Sequence, residues 1–208
     1  MKTFKAVIFD CDGVMFDSRQ ANINFYNSLL ANFDLQPMTD DQVDYIHMHT
    51  ATESMSHIFQ GSAYEKMARE YRIGNDYAPF IKDMMMAPGL KELLQSLKGR
   101  FGLGVATNRS VTIGDVLKIN DLDAFFDIVV SSLDVKNSKP HPESLFKIFD
   151  FFEILPEQTL YIGDSIVDYE MARDAKVPFV AYQNRKLAAD YHVEHHHQIG
   201  HIVGVNIP

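Results

Sequence analysis

The chain has 208 residues, of which 46% are hydrophobic and 23% charged, enough for one substantial core of a soluble globular protein. A net charge of −9 and a pI near 5.4 argue against a general nucleic-acid binder, and an anionic substrate would need positive charge placed locally. One cysteine, Cys11, excludes an intramolecular disulfide, and no stretch approaches the roughly 20 apolar residues that span a bilayer, so a cytoplasmic protein is expected.

Ala6 to Phe9 is an unbroken apolar run, as in a strand of a parallel sheet covered on both faces. It leads directly into Asp10-Cys11-Asp12-Gly13. Open α/β sheets bind ligands beyond the carboxyl ends of their strands, which is where Asp10 and Asp12 are delivered. Residues i and i+2 of an extended chain face the same way, so both carboxylates can address one reacting atom. Their mutual repulsion would be relieved by a hard cation such as Mg²⁺. The same four residues also suit a plain strand-ending turn. Cys11 reads as a small packing residue, because a cysteine-phosphatase loop wants an arginine six positions on and Asp17 stands there.

After Asp17 the apolar spacing becomes helical, with Ile23, Tyr26, Leu29, Leu30 and Phe33 at three- and four-residue steps. Thr39 or Asp40 is expected to cap a second helix that puts Val43, Ile46 and His47 on one face. Thr50 to Phe59 reads as a third helix, Gly61 as a break, Tyr64 to Tyr71 as a fourth helix, Gly74-Asn75 as a turn and Tyr77 to Met86 as a last short helix. Strand and helix alternate again from Ala87-Pro88-Gly89. Helices are expected at Leu90 to Leu97, Val111 to Ile119, Glu143 to Phe152 and Ile166 to Ala175. Strands are expected at Gly102 to Thr107, Ile128 to Ser131, Thr159 to Gly163 and, last, Pro178 to Tyr182. The pattern predicts an α/β fold: a doubly wound, mostly parallel sheet formed by residues 1–15 and 87–208, with 16–86 inserted as an all-helical cap.

Four polar signals fall on strand ends. They are Asp10-x-Asp12, Thr107-Asn108-Arg109-Ser110, Lys139 with Pro140-His141-Pro142, and Gly163-Asp164-Ser165-Ile166-Val167-Asp168. Thr107, with free backbone amides leading into a helix, suits a phosphate oxygen. Asp164 and Asp168 are four apart, nominally on one helix face. Each has a plainer reading: Thr107 and Asp164 as helix caps, Lys139 and Asp168 as solvated charges. Their occurrence together and in order is what points to a site holding a metal, a phosphoryl group and a nucleophile.

These motifs, with Ala87-Pro88-Gly89-Leu90 and Ala172, resemble the haloacid dehalogenase superfamily from about Lys5 to Tyr182, and the helical insert resembles its phosphoglycolate phosphatase and β-phosphoglucomutase branch. The resemblance implies Asp10 as nucleophile forming an aspartyl-phosphate, and Asp12 as the acid and base, with its backbone carbonyl on the metal. It also implies Thr107 on a phosphoryl oxygen, Lys139 neutralising charge, Asp164 as a Mg²⁺ ligand, and Asp168 supporting the metal shell or Lys139. A Mg²⁺-dependent phosphatase acting on a small phosphorylated metabolite is expected. A sugar phosphomutase and, from another class, a non-catalytic phosphate binder or phospho-acceptor signalling module are the alternatives. His47, His49, Asn108 and Arg109 are candidate substrate contacts, and Arg19 is a further cation near the first motif. The expected glycine after the fourth motif's helix is replaced by Ala175-Lys176-Val177. Five histidines between Tyr191 and His201 fit a transition-metal site or, better, a polar surface tail or helix, since adjacent histidines point apart.

Overall fold

The computed structural model describes residues 3–74 and 77–207. Six strands form the main sheet in the order β5-β4-β1-β6-β7-β8, every neighbouring pair parallel. They are β1 (Ala6–Phe9), β4 (Gly102–Ala106), β5 (Ile128–Val130), β6 (Thr159–Gly163), β7 (Phe179–Tyr182) and β8 (Tyr191–Val193). β1 lies between β4 and β6, and all four of its residues are fully buried, which explains why its sequence is apolar without alternation.

The two faces of β1 divide the core. Val7 and Phe9 pack with Leu90, Leu93, Leu94 and Leu97 of α6 (Leu90–Leu97), with Val116 of α7 (Ile113–Ile119) and with Ile199 of α10 (His196–Val203). Ala6 and Ile8 pack with Leu145, Ile148 and Phe149 of α8 (Glu143–Phe152) and with Met171, Ala172 and Ala175 of α9 (Ile166–Ala175). Side chains alternate along a strand, so one four-residue run anchors both helical layers.

Between β1 and α6 come α1 (Arg19–Ala31), α2 (Asp40–Met48), α3 (Ala51–Ile58), α4 (Glu65–Gly74) and α5 (Ala78–Ile81). Thr39 and Thr50 cap α2 and α3, each hydroxyl accepting from the amide three residues on while Gln42 or Glu53 reaches back. The insert is not wholly helical. The helix expected over Tyr77 to Met86 stops at Ile81, and β3 (Met85–Met86) pairs antiparallel with β2 (Phe16–Asp17). That pairing satisfies backbone groups across the two ends of the insert, a partnership local periodicity does not reveal. Asn75 of the expected Gly74-Asn75 turn lies outside the described residues.

The C-terminal part also departs from expectation. Tyr182 does not close the sheet, because β8 follows as a further parallel strand. The histidine-rich segment takes the helix alternative, with His192, His195, His197 and His201 exposed as expected, but α10 also packs on α6, and His196 is fully buried. Its Nδ1 lies 3.2 Å from the Tyr182 hydroxyl and 3.3 Å from the Pro88 carbonyl oxygen, and its Nε2 has no partner among the described residues.

Burial pushes the His196 imidazole down from 6.5 to about 4. The unfolded chain binds this proton more readily, so the contribution is complete above the unfolded value and is lost as pH falls towards the folded one. From about pH 7 to about pH 4.5, the stability advantage of the natural chain over His196→Leu should shrink by roughly 2–3 kcal/mol in urea unfolding. A pH-independent difference would contradict a buried neutral imidazole.

Candidate active site

The carboxyl ends of β1, β4 and β6 and the loop after β5 meet beneath α1, α2 and the start of α5, around a cavity of about 410 Å³. Asp10, Asp12, Thr107, Asn108, Arg109, Lys139, His47 and His49 all line it. Arg19 does not; it pairs at 2.9 Å with Asp44 on the exposed surface of the insert.

Lys139 lies at the floor, its Nζ 2.8 Å from Asp10 Oδ1 and 2.8 Å from Asp168 Oδ1. Its backbone is clamped from both sides by Asn108, whose Oδ1 accepts from the Lys139 amide at 3.0 Å and whose Nδ2 donates to the Lys139 carbonyl at 3.2 Å. Asn108 Nδ2 also lies 3.2 Å from the Met48 carbonyl oxygen of the insert. The Asn108 side chain, read from sequence as a substrate contact, is therefore engaged in holding the lysine. Thr107 is buried at the end of β4, and its Oγ1 accepts from the Arg109 amide at 3.1 Å.

Asp164 and Asp168 do not share a helix face. Asp164 follows β6, Ser165 caps α9, and Asp168 turns back to complete the capping box. Asp168 Oδ2 takes the Ser165 amide at 3.1 Å and the Ser165 hydroxyl at 2.5 Å; Oδ1 takes Lys139 and, at 2.6 Å, the Tyr161 hydroxyl. Tyr161 and Ser165 are site residues that sequence reasoning missed. Tyr161 sits inside a strand that otherwise reads as core, and nothing local marks its hydroxyl as the partner of an aspartate seven residues on.

Electrostatics follow burial. Desolvation drives the Asp10 carboxyl up to about 7, Lys139 opposing and the Asp168 charge adding to the rise. Asp164 is likewise pushed well up, by burial and then by Asp168 and Asp10. Burial acts the same way on Asp168, but Lys139 and the Ser165 and Tyr161 hydroxyls outweigh it and hold the carboxyl below the usual range. Asp12 is held at about 2, because Arg109 overcomes its desolvation with help from Ser18 and His47. Burial raises the Cys11 thiol, so no thiolate nucleophile is available there.

One ligand oxygen from each of Asp10, Asp164 and Asp168 falls within 4.8 Å of the others, the only such grouping of acid, histidine and cysteine side chains among the described residues. Three carboxylates facing one lysine leave excess negative charge, and a hard divalent cation fits that donor set. Asp164 is cradled by Gly13, at φ +81°, where a Cβ would lie 2.1 Å from Asp164 Oδ2. His47 Nε2 approaches Asp164 Oδ2 at 4.0 Å from the insert. His49 is bonded through Nδ1 to the Tyr45 carbonyl at 2.8 Å and stacked on the Tyr45 ring. The Asp12 carboxylate stands apart from the acidic group, paired with Arg109.

Known proteins share the sequence pattern and the fold. The family model described as haloacid dehalogenase-like hydrolase matches residues 7–182. Pyrophosphatase PpaX of Bacillus mycoides is 30% identical over 182 residues, covering 84% of this chain and 81% of that protein. A crystal structure of a HAD-superfamily hydrolase, subfamily IA, variant 1, from Geobacter sulfurreducens superposes with a TM-score of 0.81 at 41% identity, covering 97% of each chain. The β-phosphoglucomutase of Clostridium difficile shares the fold, with a TM-score of 0.81 at 22% identity over 95% of this chain and 93% of its own.

Removing the lysine charge leaves two buried carboxylates facing each other. Lys139→Met should destabilise the chain by about 3–5 kcal/mol in urea unfolding near neutral pH. A loss under about 1 kcal/mol would show that the ion pairs do not hold the site together.

Proposed function

The chain belongs to the haloacid dehalogenase-like hydrolases, and on that premise we propose that it is a Mg²⁺-dependent phosphatase that hydrolyses a small phosphorylated metabolite through a phosphoryl group carried on Asp10. The supporting observation is the state of Asp10. Its Oδ1 is held by Lys139 at 2.8 Å and by the Cys11 amide at 2.7 Å, which leaves Oδ2 as the oxygen open to the cavity. A carboxylate fixed through one oxygen presents the other at a defined angle, which suits attack on phosphorus.

Asp10 and Asp164 would hold the cation together with the Asp12 backbone carbonyl. Asp168, whose oxygens are engaged by Lys139, Tyr161 and Ser165, orients the lysine. Bound there, Mg²⁺ would supply charge neutralisation for the phosphoryl oxygens. Lys139 adds positive charge beside the nucleophile, and Thr107 offers its hydroxyl to a phosphoryl oxygen. Asp10 Oδ2 attacks phosphorus, the ester bond to the leaving oxygen breaks, and Asp12, having first taken up a proton from solvent, passes it to that oxygen. Asp12 then takes a proton from water, whose oxygen displaces the phosphoryl group from Asp10 as inorganic phosphate.

Residues 1–15 and 87–208 serve as the catalytic core and 16–86 as a lid, with the β2–β3 ribbon at its two crossings as the hinge. The contacts that support a closed lid are Met48 with Asn108, Tyr77 with Arg109, and His47 near Asp164. A cavity of about 410 Å³ beneath the insert suits a small metabolite better than a phosphoprotein. No helix among the described residues is long and apolar enough to cross a membrane; together with the single buried cysteine, this supports a cytoplasmic enzyme.

Phosphate release from small phosphoesters should require Mg²⁺ and stop on chelation. Asp10→Asn should abolish turnover without unfolding the chain, and Asp12→Ala should lower kcat by about 10²–10⁴. Near-native turnover by Asp10→Asn, in a steady-state phosphate assay, would refute the assignment.

A further inference from the structure

Asp12 cannot exchange a proton with a substrate as the structure holds it. Arg109 Nε donates to Asp12 Oδ2 at 3.1 Å and Nη2 to Oδ1 at 2.6 Å, so both oxygens are taken by one guanidinium. The pair is well shielded, with the arginine side chain 6% and the aspartate 15% exposed. Two parallel charged hydrogen bonds are the strongest geometry such a pair can adopt. Arg109 is steadied further by Nη1 donating to Thr112 Oγ1 at 3.1 Å and by the Tyr77 ring, whose centroid lies 4.9 Å from the guanidinium carbon. Tyr77 belongs to the insert, and its hydroxyl donates to Asn22 Oδ1 at 2.6 Å, so the clasp is built across the lid.

The charges in the cavity say what could open it. Among the described residues, its lining carries the acids Asp10, Asp12 and Asp115 against only two permanent cations, Lys139 and Arg109. Lys139 is committed at 2.8 Å to both Asp10 and Asp168. A second anionic group on a substrate therefore has one permanent cation to recruit, and an anion that takes the Nε and Nη2 fork takes the guanidinium from Asp12.

We propose that Arg109 is a substrate-operated latch: an anionic group on the leaving half of the substrate draws the guanidinium off Asp12 and frees that carboxylate for proton transfer. The step is an exchange of ion-pair partners and makes or breaks no covalent bond. This rests on the phosphatase reading and adds to it a substrate class, phosphate esters or anhydrides bearing a second carboxylate or phosphate. A substrate whose leaving half is neutral binds its phosphoryl group equally well but leaves Asp12 clasped, so it reacts slowly once bound. Arg109 thereby selects through kcat as well as through KM.

Two matched pairs, each differing by a carboxylate in place of a hydroxymethyl group, test this: phosphoglycolate against 2-hydroxyethyl phosphate, and 3-phosphoglycerate against glycerol 3-phosphate, each with Mg²⁺. The natural chain should favour the member with two anionic groups by about 50-fold or more in kcat/KM in at least one pair. Arg109→Gln should shrink that ratio to less than about 5-fold. It should do so from both sides, with KM for the doubly anionic substrate rising about 10-fold or more and kcat for its neutral counterpart rising several-fold as Asp12 is released. Arg109→Lys, which keeps the charge but not the fork, should fall between, and thermal unfolding checks that both variants are folded. A fall in kcat for the neutral-leaving substrate in a folded Arg109→Gln protein would overturn the latch, since a purely structural arginine gives that result. Equal efficiency of the natural chain on both members of both pairs would overturn the latch and leave the phosphatase reading standing. Hydrolysis of none of the four would overturn the latch, and the phosphatase reading falls with it if a generic ester such as p-nitrophenyl phosphate is also left intact.

Discussion

Lys139 carries a full charge to the floor of the cavity with 3% of its side chain exposed, and the two carboxylates at 2.8 Å are what make that burial tolerable. An isolated ammonium there would cost several kcal/mol in lost hydration, and so would either carboxylate without it. Each group therefore requires the others, although they arrive from separate segments: Asp10 from the end of β1, Lys139 from the loop after β5, and Asp168 from the first turn of α9. The sheet order that puts β1 between β4 and β6 brings the three within reach. Asn108 at the end of β4 fixes the lysine backbone, and the Tyr161 and Ser165 hydroxyls satisfy the remaining bonding of Asp168. Folding the sheet and assembling the site are thus one event.

The charge balance then sets the chemistry. Asp164 brings a third carboxylate to the same corner, against a backbone that only Gly13 allows. Burial first, and the neighbouring acids after it, displace Asp10 and Asp164 upward, and three carboxylates against one ammonium are a donor set that a cation would fit. On the other side of the cavity Asp12 has the opposite surroundings, an arginine to itself. Two aspartates one residue apart in sequence are thereby separated in character: one is raised by burial among acids, the other is lowered by a guanidinium. As held here each carboxyl has the opposite of what its role needs: a nucleophile needs its charge and a proton donor its proton, so the roles call for a cation beside Asp10 and for the guanidinium to leave Asp12.

Much of this was legible in the sequence wherever the signal was local. The apolar run before Asp10, the leucine spacing of α6 and Thr39, one of the two candidate caps of α2, each follow from nearest neighbours along the chain, and the structure has them in place. What was hidden depends on partners far apart. Met85–Met86 carries no strand signal of its own, and it is a strand because Phe16–Asp17 lies opposite. The histidines of α10 mask an apolar face that includes Ile199, and His196 is buried because Tyr182 and Pro88 receive it. The four-residue spacing of Asp164 and Asp168 suggested a shared helix face, whereas the helix begins between them and turns Asp168 back to its own cap. The Arg109–Asp12 pair spans 97 residues and has no trace in periodicity.

The account stands on Asp10 being the atom donor that takes the phosphoryl group. Acid-quenching the enzyme during turnover, and weighing at low pH the peptic peptide that contains Asp10, tests this directly. The added mass of one phosphoryl group, localised by fragmentation to Asp10 and lost on brief treatment with mild base, is the predicted result. The same mass on another residue, or rapid turnover with this peptide never modified at any quench time, would contradict it.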